Sequence, residues 1–128
     1  MSWVNIEQLQ EISEVEFADI VVEALVPGVN ELRILLTDGS FVDVWFSLKL
    51  AGRYSFHWER RALDGKIYRH DNAPHQRWQF VQTFPHHFHD GSEDQVLESH
   101  LSQFPEEALR QFLAFARDKL SASSANQE

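Results

Sequence analysis

The alternation of apolar and polar positions predicts a β-sheet flanked by two helices. Asn5 followed by Gln8 has the spacing of a helix capping box, and apolar residues then recur at helical spacing, which predicts a short helix over residues 6–12. Residues 15–26 are rich in β-branched side chains, which favours a strand that ends at a Pro-Gly turn.

Two hairpins are predicted next, each with glycine as the last residue of a three-residue loop, at Gly39 and Gly65. Glycine is favoured there because that loop position needs a left-handed backbone. The register that these loops imply defines four cross-strand pairs: Arg33 with Asp43, Ile34 with Val42, Glu59 with Arg69, and His57 with Asp71. One face of the second hairpin is therefore expected to be polar and charged.

The C-terminal part adds one strand and one helix to the prediction. Alternation from Trp78 to Phe84 predicts a strand that Pro85 ends. From Pro105 onward, an acidic first turn and an apolar stripe predict a helix. The predicted fold class is α+β: a mainly antiparallel, twisted sheet of five or six strands with a C-terminal helix and a short N-terminal helix. Residues 1–120 would form a single domain and residues 121–128 a disordered tail.

Composition excludes several kinds of chemistry. The 128 residues include no cysteine, so disulfides, thiolate metal sites and thiol nucleophiles are impossible. The five glycines do not cluster, so there is no glycine-rich phosphate loop. No apolar run approaches the length of a membrane span and no signal-peptide pattern is present, so we expect a cytoplasmic protein without a membrane partner.

The net charge of −9 is unevenly distributed along the chain. Residues 53–89 hold six Lys and Arg against three carboxylates, together with six of the seven histidines, whereas the flanking segments are acidic. Locally summed positive charge and imidazoles attract anions or metal ions. The functional site is therefore expected in this segment.

One candidate group lies between Arg69 and His75. Arg69 is suited to clamp a phosphate, Asp71 to orient His57, and the turn after Asn72 to lift His75 out of the sheet. A structural interpretation is equally open. In that case Asp71 and Asn72 hydrogen-bond a turn, and Arg69 pairs with Glu59.

The second candidate group contains His86, His87 and His89. In an extended segment His87 and His89 share a face, so they can bind one metal ion with Asp90 or His75 as the third ligand. Imidazoles also transfer protons without a metal near neutral pH. The alternative is a polar loop with partly exposed histidines. Three of the four tryptophans, Trp45, Trp58 and Trp78, are expected in the core.

These motifs together resemble the TumE-like family, the toxin component of toxin–antitoxin modules. The resemblance rests on an aromatic-x-x-His of residues 54–57, on the Arg-His-Asp-Asn-Ala-Pro-His block of 69–75 and on the Phe-Pro-His-His-Phe-His block of 84–89, and it extends over about residues 30–118. Gln76 stands where family members commonly have a second histidine, and Phe88 where a basic residue is common. The resemblance implies a toxin with an antitoxin partner encoded nearby and with RNA as its target.

The leading hypothesis is a ribonuclease that needs no metal and no other cofactor. In this hypothesis an imidazole takes the proton of the ribose 2′-hydroxyl, a guanidinium stabilises the phosphorane, and a second imidazole protonates the leaving oxygen. The predicted catalytic residues are His57, Arg69, Asp71, His75, His86, His87 and His89, and the predicted substrate-binding residues are Arg53, Arg61 and Asn72. A non-enzymatic interaction module and a histidine-based metal-binding protein are the alternatives. The sequence leaves the oligomeric state open, including a homo-oligomer.

Overall fold

The sheet of this protein is an antiparallel meander in which each strand pairs with the next one along the chain. A computed structural model describes residues 4–125, and the α+β class is confirmed, but the sheet has seven strands rather than five or six. The elements are α1 (Ile6–Glu16), β1 (Val21–Gly28), β2 (Glu31–Leu36), β3 (Phe41–Phe46), β4 (Tyr54–Arg60), α2 (Arg61–Asp64), β5 (Lys66–Asp71), a 3-10 turn (Gln76–Trp78), β6 (His87–Gly91), β7 (Val96–Glu98) and α3 (Pro105–Ala125).

Helix α1 begins at the predicted cap. The side-chain oxygen of Asn5 accepts a hydrogen bond of 3.0 Å from the backbone N–H of Gln8, which satisfies one of the free amides of the first turn. The helix continues to Glu16, four residues beyond the prediction, and Val15 lies exposed on it. Strand β1 therefore begins only at Val21. It runs through the predicted Pro-Gly turn, which is tolerated because β1 is an edge strand.

The first hairpin, β2 and β3, has the predicted register. Arg33 lies opposite Asp43 and Ile34 opposite Val42, and the Arg33–Asp43 ion pair is 2.7 Å long. Gly39 has a φ of 92°, the left-handed conformation that the loop was expected to need.

The predicted register of the second hairpin is wrong by two residues. Residues 61–64 form the single helical turn α2, so the connection is longer than three residues, although Gly65 is left-handed as expected. His57 therefore pairs with Arg69, and Ser55 rather than His57 pairs with Asp71. Because side chains alternate with a period of two, a shift by two keeps each of them on its predicted face.

The strand predicted from Trp78 to Phe84 does not form. Trp78 and Val81 are buried while Phe80 is exposed, which is the spacing of a turn rather than of a strand. With Val96 and partly buried Phe84, these two buried residues form a small second hydrophobic cluster. The chain returns to the sheet only after Pro85, as β6 and β7, neither of which was predicted.

Helix α3 covers one face of the sheet along its predicted apolar stripe. Leu109, Phe112, Leu113 and Ala116 are fully buried, and Phe112 packs edge-on against Phe56 of β4. The helix continues to Ala125, whereas the tail was expected to begin at residue 121; the tail expectation for residues 126–128 lies outside the described residues. Within residues 4–125, no helix is both long and apolar enough to cross a bilayer.

Replacing Phe112 by Ala should lower the free energy of unfolding by about 3 to 5 kcal/mol, because it removes a ring at the centre of the core and leaves a cavity. The measurement is urea-induced unfolding followed by circular dichroism. Phe80→Ala is the matched control and should change stability by less than about 0.5 kcal/mol, since Phe80 is 70% exposed. Equal losses in the two variants would contradict this description of the core.

Candidate functional site on the open face of the sheet

The polar side chains of the central strands lie on the face opposite α3. Residues that pair directly across antiparallel strands point to the same side, so the pairing creates two polar rows. One row joins His57, Arg69 and His89; the other joins Ser55, Asp71 and His87. Three strands thus bring together residues that are up to 34 positions apart in the sequence.

The carboxylate of Asp71 is the centre of this group. It is 8% exposed, and its two oxygens have different partners. Oδ1 accepts a hydrogen bond of 3.0 Å from the backbone N–H of Ala73 and lies 3.1 Å from Nε2 of His87. Oδ2 accepts a hydrogen bond of 3.0 Å from Nε of Arg69 and lies 3.7 Å from Nε2 of His89. Burial alone would raise the pKa of Asp71, but the imidazoles of His87 and His89 and the Ala73 amide outweigh it and hold that pKa well below its usual range.

Backbone carbonyls fix the orientation of both buried imidazoles. Nδ1 of His87 donates to the Pro85 carbonyl at 2.9 Å, and Nδ1 of His89 donates to the Glu93 carbonyl at 3.0 Å. Each Nε2 therefore faces Asp71. Burial lowers the pKa of His87, but the contact with Asp71 more than compensates, so the pKa of His87 is raised above its ordinary value.

Arg69 is held from several sides and is not a free clamp. Its Nη atoms donate two hydrogen bonds of 2.8 Å to the carboxylate of Glu93, in addition to the bond from Nε to Asp71. A bidentate pair of this kind fixes a guanidinium strongly. Glu93 was not predicted, because it lies in the turn between β6 and β7, two elements that the sequence did not reveal.

His57 is oriented by Glu59 rather than by Asp71. Its Nδ1 accepts from Nη1 of Arg69 at 3.3 Å, so its Nε2 carries the proton and donates to Glu59 at 3.0 Å. Burial lowers the pKa of His57, and the nearby Arg69 lowers it further, against the raising effect of Glu59. The predicted pair of His57 with Asp71 and the alternative pair of Arg69 with Glu59 are both replaced by this arrangement.

An open cavity of about 420 Å³ lies over Asp71 and the two buried histidines. Among the predicted residues it is lined by Arg53, Arg69, Asp71, His75, His87 and His89. Tyr54, Arg77, Trp78 and Glu93 line it as well without having been predicted as site residues. Trp45 also lines the cavity with 37% of its surface exposed, which corrects its predicted core position; Trp58 and Trp78 are buried as expected.

Four predicted site residues do not line the cavity. His57 lies beside it, and His86 shares a hydrogen bond of 2.9 Å with the Tyr54 hydroxyl. Arg61 pairs with Glu59 and is exposed. Asn72 has a structural role. Its side-chain oxygen accepts a hydrogen bond of 3.0 Å from the backbone N–H of Tyr54, and its side-chain nitrogen donates one of 2.8 Å to the Gly52 carbonyl.

The metal-ligand set differs from the expected one. In residues 4–125, the group whose ligand atoms all lie within 4.8 Å of one another consists of Asp71, His87 and His89. Asp90 follows His89 in the strand, so its side chain points to the opposite face of the sheet. His75 lines the same cavity but lies outside this group.

His70 faces the core, on the side of the sheet opposite to Arg69 and Asp71. Its ring stacks on Phe88 with 4.4 Å between centroids, and its Nδ1 shares a hydrogen bond of 2.7 Å with Ser99. Burial lowers the pKa of His70 to about 4, so the imidazole is neutral in the folded protein near pH 6.

Stability should decrease as the pH falls from about 6.5 to about 4. In that range the unfolded chain binds a proton at His70 and the folded chain does not, which costs at most about 3 kcal/mol at the lower end. Urea unfolding of the wild type and of His70→Phe across this range measures the effect, and the variant should show the smaller dependence on pH. A proton titration of His70 near 6.5 in the folded protein, by NMR, would contradict this assignment.

Comparison with known proteins places this chain in a family. A family model described as toxin TumE matches residues 5–120. No curated protein and no solved structure gives a significant match. The matched range includes the whole sheet and every residue that lines the cavity.

Proposed function

Because this chain belongs to the TumE toxin family, we propose that it is the toxin of a toxin–antitoxin pair and that its cavity cleaves RNA. The partner would be an antitoxin protein encoded nearby. The observation that carries the proposal is the composition of the cavity: three guanidinium groups and three imidazoles line it together with the carboxylates of Asp71 and Glu93, in a chain of net charge −9. Such a concentration of cations suits a phosphodiester.

Arg53 is the guanidinium best placed to contact the phosphate. Within residues 4–125 it forms no ion pair, whereas Arg69 is bound by Asp71 and Glu93. Arg77 lines the cavity too and pairs with Asp94 at 3.3 Å, but both of these side chains are largely exposed. We therefore assign stabilisation of the phosphorane charge to Arg53, with Arg77 beside it, and assign to Arg69 the role of holding Asp71 in place.

His75 is the imidazole best placed to activate the ribose hydroxyl. It is exposed at the rim of the cavity, immediately after the turn that follows β5, so a substrate reaches it without a change in the fold. At the floor, Asp71 raises the pKa of His87, which favours the protonated imidazole, and we assign to it the role of the acid that acts on the leaving oxygen. A base at the rim and an acid at the floor place the phosphate between them, as acid–base cleavage requires.

Trp45 suggests an unpaired RNA strand as the substrate. Its exposed ring borders the cavity near Arg53, and aromatic rings stack on bases that are not paired in a duplex.

Arg53→Ala and His75→Ala should each reduce cleavage of a single-stranded RNA by about 100-fold or more, through loss of charge stabilisation and of proton transfer. The purified variants are assayed on a defined RNA, and growth inhibition on expression is measured in parallel. Arg33→Ala and His100→Ala are the matched controls and should keep full activity, because neither residue lines the cavity. Circular dichroism and melting curves confirm that each variant is folded.

Two results would contradict this proposal. If folded Arg53→Ala and His75→Ala variants cleave RNA like the wild type, the assignment of roles is wrong. If the wild type neither cleaves RNA nor inhibits growth but binds the product of the neighbouring gene, the protein is an interaction module instead of an enzyme.

A further inference from the structure

We propose that Asp71, His87 and His89 bind one divalent transition-metal ion, such as zinc, at the floor of the cavity. The three side chains come from β5 and β6 and are among the most buried polar groups of the described residues, with His87 1% and His89 2% exposed. Two imidazoles and one carboxylate are a ligand set that proteins use for zinc and similar metals. Metal binding is tested without RNA, so its outcome is distinguishable from that of the proposed ribonuclease.

The tautomers of the two histidines are those that a metal ion needs. A carbonyl oxygen can only accept, so the hydrogen bonds to the Pro85 and Glu93 carbonyls require a proton on Nδ1 of both rings. In a neutral imidazole, Nε2 then carries a lone pair. Metal-ligating histidines are commonly fixed in this way, with the second ring nitrogen donating to a carbonyl or a carboxylate.

When both rings are neutral, these tautomers place two unprotonated Nε2 atoms opposite the carboxylate of Asp71, so hydrogen-bond acceptors face each other. Both Nε2 lone pairs point towards Asp71, whose oxygens also only accept. A positive centre between them removes this conflict. A proton on Nε2 of His87 would turn its 3.1 Å contact with Asp71 into a hydrogen bond. Nε2 of His89 lies 3.7 Å from Asp71, which is too far for a hydrogen bond. A single metal ion would satisfy all three groups at once.

The spacing of the donor atoms fits an ion. Ligand atoms about 2.0 to 2.2 Å from a tetrahedral zinc ion lie roughly 3.3 to 3.6 Å from one another. Nε2 of His87 lies 3.1 Å from Oδ1 of Asp71 and Nε2 of His89 lies 3.7 Å from Oδ2, and the three ligand atoms all lie within 4.8 Å of one another, so side-chain adjustment brings them to this spacing.

Charge and access also favour a cation here. Asp71 and Glu93 carry two negative charges beside the single positive charge of Arg69. The other two guanidinium groups that line the cavity, those of Arg53 and Arg77, belong to more exposed side chains. With neutral imidazoles, the charge immediately around His87 and His89 is therefore negative. All three ligands line the open cavity, which leaves a coordination position facing solvent. Three protein ligands with an open fourth position are typical of metal sites that act on substrates rather than of structural ones. A bound ion would replace the His87 proton as the positive charge next to the leaving oxygen.

The test is calorimetric titration of zinc into protein that was freed of metal by chelation. We expect one site per chain in the wild type and an affinity at least about 100-fold weaker in Asp71→Asn and in His89→Gln, since each variant removes a ligand. His100→Gln is the matched control: it also replaces a histidine, but one that lies outside the group, and it should bind like the wild type. Magnesium should not compete, because it disfavours imidazole ligands.

A second measurement needs no variant and so holds even if the variants fail to fold. Cobalt(II) added to the wild-type protein should give the visible absorption of a four- or five-coordinate ion and should shift the ring resonances of His87 and His89, but not that of His100, in NMR spectra. The proposal is wrong if cobalt stays in its aqueous form, if zinc does not bind, or if folded Asp71→Asn and His89→Gln variants bind zinc like the wild type. Magnesium binding as tight as zinc binding would contradict the assignment of this site to a transition-metal ion. Zinc binding without RNA cleavage would leave this site standing and reject the ribonuclease alone.

Discussion

The arrangement of the open face depends on one constraint: the buried charge of Asp71 must be paired. A carboxylate that is largely removed from water is costly unless charged or hydrogen-bonding groups surround it. Those partners are Arg69, His87, His89 and the Ala73 amide. Glu93 in turn accepts hydrogen bonds from the two Nη atoms of Arg69 that do not contact Asp71. The same network that stabilises Asp71 in this position also fixes the orientation of the side chains at the floor of the cavity.

The cavity therefore has two parts with different physical roles. At its floor, Asp71 and the two buried histidines are fixed by backbone carbonyls and by Arg69, so their geometry is set before any ligand arrives. At its rim, Arg53 and His75 are more accessible to solvent. Trp78 packs against both buried histidines and separates the floor from solvent on one side, which strengthens electrostatic interactions there.

The loops decided how much of the hairpin geometry could be predicted. In β2 and β3 the three-residue loop ending at Gly39 fixed the register, and the Arg33–Asp43 pair is where local spacing placed it. In β4 and β5 the helical turn α2 shifted the register by two, so Arg69 faces His57 instead of Glu59. Nothing in residues 61–64 separates a short helical turn from an open loop. The polar face nevertheless remained correct, because a shift by two does not change the side to which a side chain points.

The sequence by itself determined which side chains share a face, since alternation in a strand and periodicity in a helix are local properties of the chain. That is why the burial of the α3 stripe and the common side of Arg69 and Asp71 were predictable. Only the tertiary structure decided which of these side chains meet. The contacts of Asp71 with His87 and His89, of Arg69 with Glu93, and the turn at Trp78 depend on β6 returning to pair with β5. That pairing joins segments that are distant in sequence and is set by the burial of the whole sheet, for which no short stretch of residues carries a signal.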